Sequence, residues 1–352
     1  MELKEAIGRR RSIRFLKPYQ PVEREKIQKM LEAARLASFW GNVQALKAVV
    51  IERATAPADV IAALPVGTVI GGFQFRMAPV IIVWYIDWNA IAVQDKRLHE
   101  LVEAGAIGVD REKSHRYLDA VLIPFFEKAG DSIRSTGATE VDCGQGIAQA
   151  TLVAFEEGLG TCVLAVLNQK KLRKVLRLPE ESRILLLQTV GYPAEDPAAG
   201  GQRPRRPFEE RFFLNRCGEA FPRSAAVVDE LTEAKMLQAP APLPYRAEEL
   251  AWLGKAFGLS DVFGDEVPEV LRDLEAADPA ATKKRGAAGS PRAPAMETPP
   301  LPRARATQRA RFPRAGSQTM KFSADAAPRG APTISASAWP PTDTSPHPAR
   351  QR

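Results

Sequence analysis

Between Ala78 and Asp87 the chain reads "APVIIVWYID", with no charge before the final aspartate. A strand this apolar cannot show one face to water and must be covered on both. A second run, Arg183–Tyr192 ("RILLLQTVGY"), makes the same demand and ends at a Gly-Tyr-Pro turn. Helices must therefore sandwich a sheet. Glu2–Arg10 and Val22–Ala37 read as helices, the second with Ile27, Leu31 and Ala34 on one face. Val141–Gly158 is a long helix, mostly apolar all round, stopping at "GLG". Such a helix belongs at the centre of a fold or in a subunit interface. Lys47–Glu52 and Thr161–Leu167 read as strands and Asp119–Ala129 as a helix. Asn168 reads as the cap of a helix running to Leu176, and Ala247–Phe257 has a weaker helical pattern. The whole is a layered α+β or α/β domain.

The formal charge of +7 is misleading. From Ala276 onward the chain holds 13 Lys/Arg against 4 Asp/Glu, so the remainder is mildly acidic. Residues 278–352 are rich in Pro, Ala, Arg, Ser and Thr and lack apolar periodicity, which predicts disorder. The arginines of this basic tail have no interleaved aromatics, so a solvated appendage is expected before a nucleic-acid-binding one. No apolar run reaches the roughly 18 residues of a membrane span. The N-terminus has no apolar core of a secretory signal. Cys143, Cys162 and Cys217 form no CxxC pair, which suits a reduced, cytoplasmic protein. With three histidines, His99, His115 and His347, neither a Ser-His-Asp triad nor a multi-histidine metal site is expected. His99 and His115 read as surface residues of a charged middle segment, and Cys143 and Cys162 as packing residues. GxGxxG and GxxxxGK[ST] are both absent, which removes the Rossmann and P-loop readings.

What remains is arginine at two distant places. "GRRRSIRF" gathers Arg9, Arg10, Arg11 and Arg14 around Ser12, and "GGQRPRRP" holds Arg203, Arg205 and Arg206. The planar guanidinium fork suits phosphate bidentately. Two such clusters on a compact sheet domain could converge on one dianionic phosphate. On charge alone the better reading is two solvated basic turns.

Three further stretches stand in order between and beside these clusters: "ARLASFWGNVQ", "EEGLGTCVLAVL", and "LPEESRILLLQTVGYPAED" leading to "RRPFEE". Together with "RRSIRF" they resemble the FMN-dependent nitroreductase family of flavin oxidoreductases, over roughly Glu2 to Phe213. The resemblance implies an α+β fold with a mixed central sheet flanked by helices, in a domain-entwined homodimer. It implies an FMN-binding domain over 1–213; beyond it the residues read as a partly helical extension over 214–277 and then the basic tail. Arg10, Arg11, Ser12 and Arg14 fall where the family binds FMN. Arg203 and Arg205 fall where it holds the phosphate, with Arg206 one register away. Ser38, Phe39, Trp40 and Asn42 fall in the segment that reaches the partner subunit's flavin. Ala165 stands in the flavin-facing stretch after "GLG".

The chemistry so implied asks for no catalytic side chain and no metal. The flavin N5 accepts hydride from NADH or NADPH, and a fixed cation stabilises charge near N1 and the C2 carbonyl. A ping-pong cycle then passes the hydride to a small aromatic acceptor, a nitroarene or a quinone. This chain departs from the family in placing Phe39 and Trp40 before Asn42, where they read equally as packing residues. It also has Leu46 where tryptophan is usual and Ala165-Val166 where a Gly-Gly pair is frequent. Two other readings remain open: flavin cleavage or reductive dehalogenation on the same fold, and nucleic-acid binding through the tail.

Overall fold

The two apolar runs occupy the centre of the sheet. In the computed structural model, which describes residues 1–64, 72–166 and 169–259, β2 (Val80–Asp87) is buried at every position. It pairs antiparallel with β4 (Ser182–Gly191), Val80 facing Val190 and Ile82 facing Gln188. The edges are β1 (Leu46–Glu52) and β3 (Gly160–Leu164), giving the order β1-β2-β4-β3. All the ladders are antiparallel. The parallel character expected of a mixed sheet is confined, among the described residues, to the bridges Ser12↔Thr161 and Gln202↔Pro240. Asn168, expected as a helix cap, and the tail expected to be disordered lie outside the described residues.

Helices cover both faces, as the apolar strands require. On one face α1 (Leu3–Arg9) is followed by α2 (Arg24–Arg35) and, much later, by α8 (Ala138–Glu156). Ile27, Met30 and Ala34 of α2 and Ile147, Ala150 and Ala154 of α8 pack on Val80, Ile82, Trp84 and Val190. One polar chain crosses this layer: the Trp84 indole N–H donates to Gln188 (2.8 Å), whose amide donates to Thr151 (2.9 Å). Every buried polar group in it is thereby satisfied. On the other face lie α3 (Ala58–Ala63), α4 (Gly72–Met77) and α9 (Gln169–Val175). Their Leu64, Phe75 and Leu172 neighbourhoods pack on Ile81, Val83, Ile184 and Leu187.

Between β2 and α8 the chain makes a helical excursion that the periodicity only partly predicts. It holds α5 (Gln94–Glu103), α6 (Arg111–Tyr117) and α7 (Ile123–Ser135). The helix expected over 119–129 instead begins as a π-turn at Leu118–Leu122 and runs on to Ser135. His99 and His115 are not free surface groups. Their rings stack with centroids 4.9 Å apart, and their outer nitrogens meet Asp119 and Glu103. Beyond the sheet, α10 (Ala225–Glu233) and α11 (Arg246–Phe257) complete the described chain.

α8 is apolar all round in sequence but two-sided in space. Thr139, Cys143, Gly146, Ile147, Ala150 and Ala154 face inward. Val141, Gly144 and Ala148 stay exposed, as do Leu3 and Ile7 of α1. The inward face works because Gly146 lets α2 approach. A β-carbon there would stand 2.9 Å from the Ala34 carbonyl oxygen and 2.7 Å from Leu46 Cδ2. Gly146→Val should therefore destabilise the fold by about 1–3 kcal/mol through overpacking. The expected result is a lower denaturant midpoint with an unchanged slope.

Candidate functional site

Residues 10–16 leave α1 and run out along the sheet edge. The Ile13 amide donates to the Thr161 carbonyl (2.9 Å), and Ser12 bridges Thr161. The alternation of an extended segment then sorts the side chains. Ile13 and Phe15 point into the core, together with Arg11, while Ser12 and Arg14 stand half-buried on the outer side. Arg10 is also half-buried, and Arg9 is exposed and pairs with Glu5 at 2.8 Å.

The second arginine cluster arrives through a turn that needs glycine. Gly200 and Gly201 have φ of +80° and +106°, in the left-handed region that L side chains avoid. The turn exposes the Gly201 carbonyl to the Arg11 Nε at 3.1 Å. It delivers Arg203 and Arg205 to the outer side of residues 10–14. Burial lowers the pKa of Arg10, and the charge of Arg205 lowers it further. Burial followed by the charge of Arg14 does the same for Arg203. Two segments some 190 residues apart thus hold their cations within mutual repulsion.

The charge of the buried Glu195 acts on Arg203 without pairing with it. Among the described residues, none of Arg10, Arg14, Arg203 and Arg205 has a carboxylate within ion-pair distance. The side chains of Arg14 and Arg205 reach only the carbonyls of Ser12 and Pro204. Three half-buried guanidinium groups, Arg10, Arg14 and Arg203, and the exposed Arg205, gathered with no ion-pair partner, could receive a polyanion. Arg206 is different: it forks onto Glu210 at 3.0 and 3.2 Å, so Arg203 and Arg205 are the members of the loop free for an anion. Arg11 is different again. Its donors go to the carbonyls of Gly8, Arg10 and Gly201 and to Gln238 Oε1. It supports the site from behind.

The remaining expected residues divide. Ala165 is exposed just past the end of β3, the edge strand that starts beside Ser12. Ser38, Phe39, Trp40 and Asn42 lie elsewhere. They precede the first residue of β1, at the sheet end where Leu46 faces Ile86. The arginines lie at the other end, where Gly160 faces Gly191. A strand's length of roughly 20 Å separates the two. Trp40 is engaged in packing: its amide and indole N–H donate to Asp142 (2.8 Å) and Thr139 (3.0 Å) at the start of α8, and its ring meets Phe126 at 5.5 Å. Asn42 has a positive φ of 53° and accepts from the Gln44 amide at 3.0 Å.

The sequence reading missed Glu195, Gln238 and Arg246. Glu195 is 4% exposed and accepts from the backbone amides of Arg14 (2.5 Å) and Phe15 (3.1 Å). An acid directly after a strand end and before a basic loop is a signal the sequence does carry. Arg246 and Gln238 come from the extension, where the sequence offers no comparable signal.

An antiparallel sheet sheathed in helices, with two arginine clusters meeting at one end, fits a nitroreductase-like protein. A model of the nitroreductase family matches residues 7–192, and the chain belongs to that family. It is 30% identical over 202 residues to a Thermus thermophilus protein named NADH dehydrogenase, covering 56% of this chain and 89% of that one. Among solved structures, it resembles a Staphylococcus epidermidis chain described as an NAD(P)H:FMN oxidoreductase. That match has a TM-score of 0.50 at 15% identity, over 60% of this chain and 96% of the other. An Exiguobacterium sibiricum chain described as a nitroreductase in complex with FMN matches with a TM-score of 0.48 at 20% identity, over 59% and 94%. Among the described residues no helix is long and apolar enough to cross a membrane, and no cluster of His, Cys, Asp and Glu could hold a metal.

Cys143 and Cys162 are packing groups, as expected. Cys162 sits on β3 and Cys143 on α8, both buried, and burial pushes the Cys143 thiol up to about 12. Burial, opposed by Arg14, raises Cys162 as well. A chromogenic disulfide titration of the native protein at pH 8 should therefore modify Cys217 alone at first. All three thiols should react once the chain is unfolded.

Proposed function

We propose that this chain is an FMN-dependent oxidoreductase that takes hydride from NADH or NADPH and passes it to an oxidised aromatic acceptor of the nitroarene or quinone type. The observation that carries the reading is the convergence of Arg10, Arg14, Arg203 and Arg205, none of which is held in an ion pair among the described residues. Such a site fits the terminal phosphate of a mononucleotide, and membership of the nitroreductase family makes FMN the natural occupant. Bound FMN would supply the hydride-accepting ring.

The chain's own residues would bind, orient and enclose. Arg10, Arg14, Arg203 and Arg205 would fork onto the phosphate, with the Ser12 hydroxyl beside them. Arg11 would hold their backbone. The exposed Val163 and Ala165 would lie under the ring. The relative named NADH dehydrogenase supports a nicotinamide nucleotide as donor. Both substrates would then use one open face in turn, which is a ping-pong order.

The reading also calls for a homodimer. Ser38, Phe39, Trp40 and Asn42 lie too far from the arginines of their own chain to share a ligand the size of FMN. In a second copy they could complete the site. The exposed apolar face of α8 and α1, with Val141, Ala148, Leu3 and Ile7, is available for that contact.

The purified protein should be yellow, and its flavin absorbance should bleach when NADH or NADPH is added without oxygen. A colourless protein that takes up no added FMN contradicts the reading. Arg10→Ala or Arg14→Ala should weaken FMN binding about tenfold or more, the loss of a charge-assisted phosphate contact. Arg9→Ala should change it little, because Arg9 is exposed and engaged with Glu5. Fluorescence titration with FMN measures all three.

A further inference from the structure

The arginine site is not finished by the part of the chain that matches the family. That match ends at Tyr192, before Glu195, the loop arginines and the whole extension. The extension docks onto the back of the site in three ways. Its residues Lys235 and Met236 press on α1, so closely that a β-carbon on Gly8 would stand 2.4 Å from Met236 Cα. Its backbone pairs with the arginine loop: the Gln202 amide donates to Ala239 (3.0 Å), and the amides of Ala241 and Leu243 donate to Gln202 and Gly200 (both 2.7 Å). Its side chains then reach inward, Gln238 to Arg11 (3.0 Å) and Arg246 to Glu195 (2.6 Å).

The last of these contacts leads to the anion site itself. The Glu195 side chain is 1% exposed and that of Arg246 12%. One oxygen of Glu195 accepts the Arg14 and Phe15 amides, and the other accepts from Arg246 Nη2. Glu249, on the same helix as Arg246, binds its Nη1 at 2.6 Å and also accepts the Asp196 amide. Arg246 lies flat against Gly200, where a β-carbon would stand 2.7 Å from its Cγ. One side chain thus braces both the backbone that presents Arg14, through its guanidinium, and the turn that presents Arg203 and Arg205, through its stem.

We propose that Glu195 and Arg246 are positioning residues of the anion site, and that α11 is thereby a working part of that site. The proposal rests on the flavin-phosphate reading given above. A buried carboxylate holding two amides needs a cation beside it, because an unpaired buried charge is strongly unfavourable. Without Arg246, Glu195 loses its counter-ion and the Arg14 backbone loses its anchor. Misplaced guanidinium forks lose bidentate geometry on a phosphate while leaving contacts to the flavin ring untouched.

The test compares FMN with riboflavin, which lacks the phosphate, on the full chain by flavin fluorescence. Arg246→Met should weaken FMN binding about tenfold or more and change riboflavin binding less than twofold. Arg246→Lys, which keeps the cation, should recover part of the loss. Equal losses for both ligands would reduce Arg246 to a fold-stabilising residue, and an unchanged FMN affinity would also overturn the proposal. Should Arg246→Met fail to fold, Glu195→Gln keeps the side-chain volume and permits the same comparison. Failure of the wild-type chain to bind either flavin would sink the flavin reading alone. The positioning claim would then be decided with inorganic phosphate, read by hydrogen exchange at the Arg14 and Phe15 amides. Phosphate should slow that exchange in the wild type and not in Arg246→Met, and identical behaviour of the two would contradict it.

Discussion

A buried cation organises the functional end of this protein. Arg11 is 6% exposed, too dry for its charge to be solvated by water. It must be solvated by the chain, and it spends its donors on three carbonyls and one amide oxygen. Those acceptors belong to α1, the glycine turn and the extension, so satisfying one guanidinium ties three segments together. A hydrogen bond from a buried charge to a neutral acceptor is typically worth about 1.5–3 kcal/mol. The inward turn of Arg11 also fixes the outward turn of Ser12 and Arg14. Arg11 places the site without filling it.

The sheet then sets the scale. Because β2 is buried at every position and β4 from Leu187 to Gly191, that part of the sheet surface offers no room for a ligand between strands and helices. Binding is left to the ends and to the edge strand β3, where Val163 is 45% exposed. The arginines take one end. The segment from Ser38 to Asn42, tied by Trp40 to the start of α8, takes the other. The homodimer proposed above would bring these two ends together, and the exposed apolar face of α8 is available for that contact.

Much of this was legible in the sequence, and the limits have physical causes. The central strands announce themselves because burial on both faces leaves an unbroken apolar run. The pairing of "RRSIRF" with "RPRRP" was legible only through resemblance, since charge alone does not say where a loop ends up in space. The different fates of Arg9, Arg10, Arg11 and Arg14 follow from alternation past the end of α1, a register the sequence does not announce. α5 and α6 escaped notice because their charged, short helices bury only residues such as Leu98 and Val102. The mixed sheet was expected and the ladders are antiparallel, with parallel pairing reduced to isolated bridges. The role of Arg246 was hidden because a lone arginine on a weak amphipathic helix looks like any solvated one.

The central claim is that two distant arginine clusters serve one anion. A double-mutant cycle on FMN affinity tests it most directly, with Arg14→Ala and Arg203→Ala made singly and together. Two forks on the same phosphate share a partner, so their effects should be non-additive, with a coupling of about 0.5–3 kcal/mol. Strictly additive losses, or no loss at all from Arg203→Ala, would show that the clusters do not act on one group and would contradict the account.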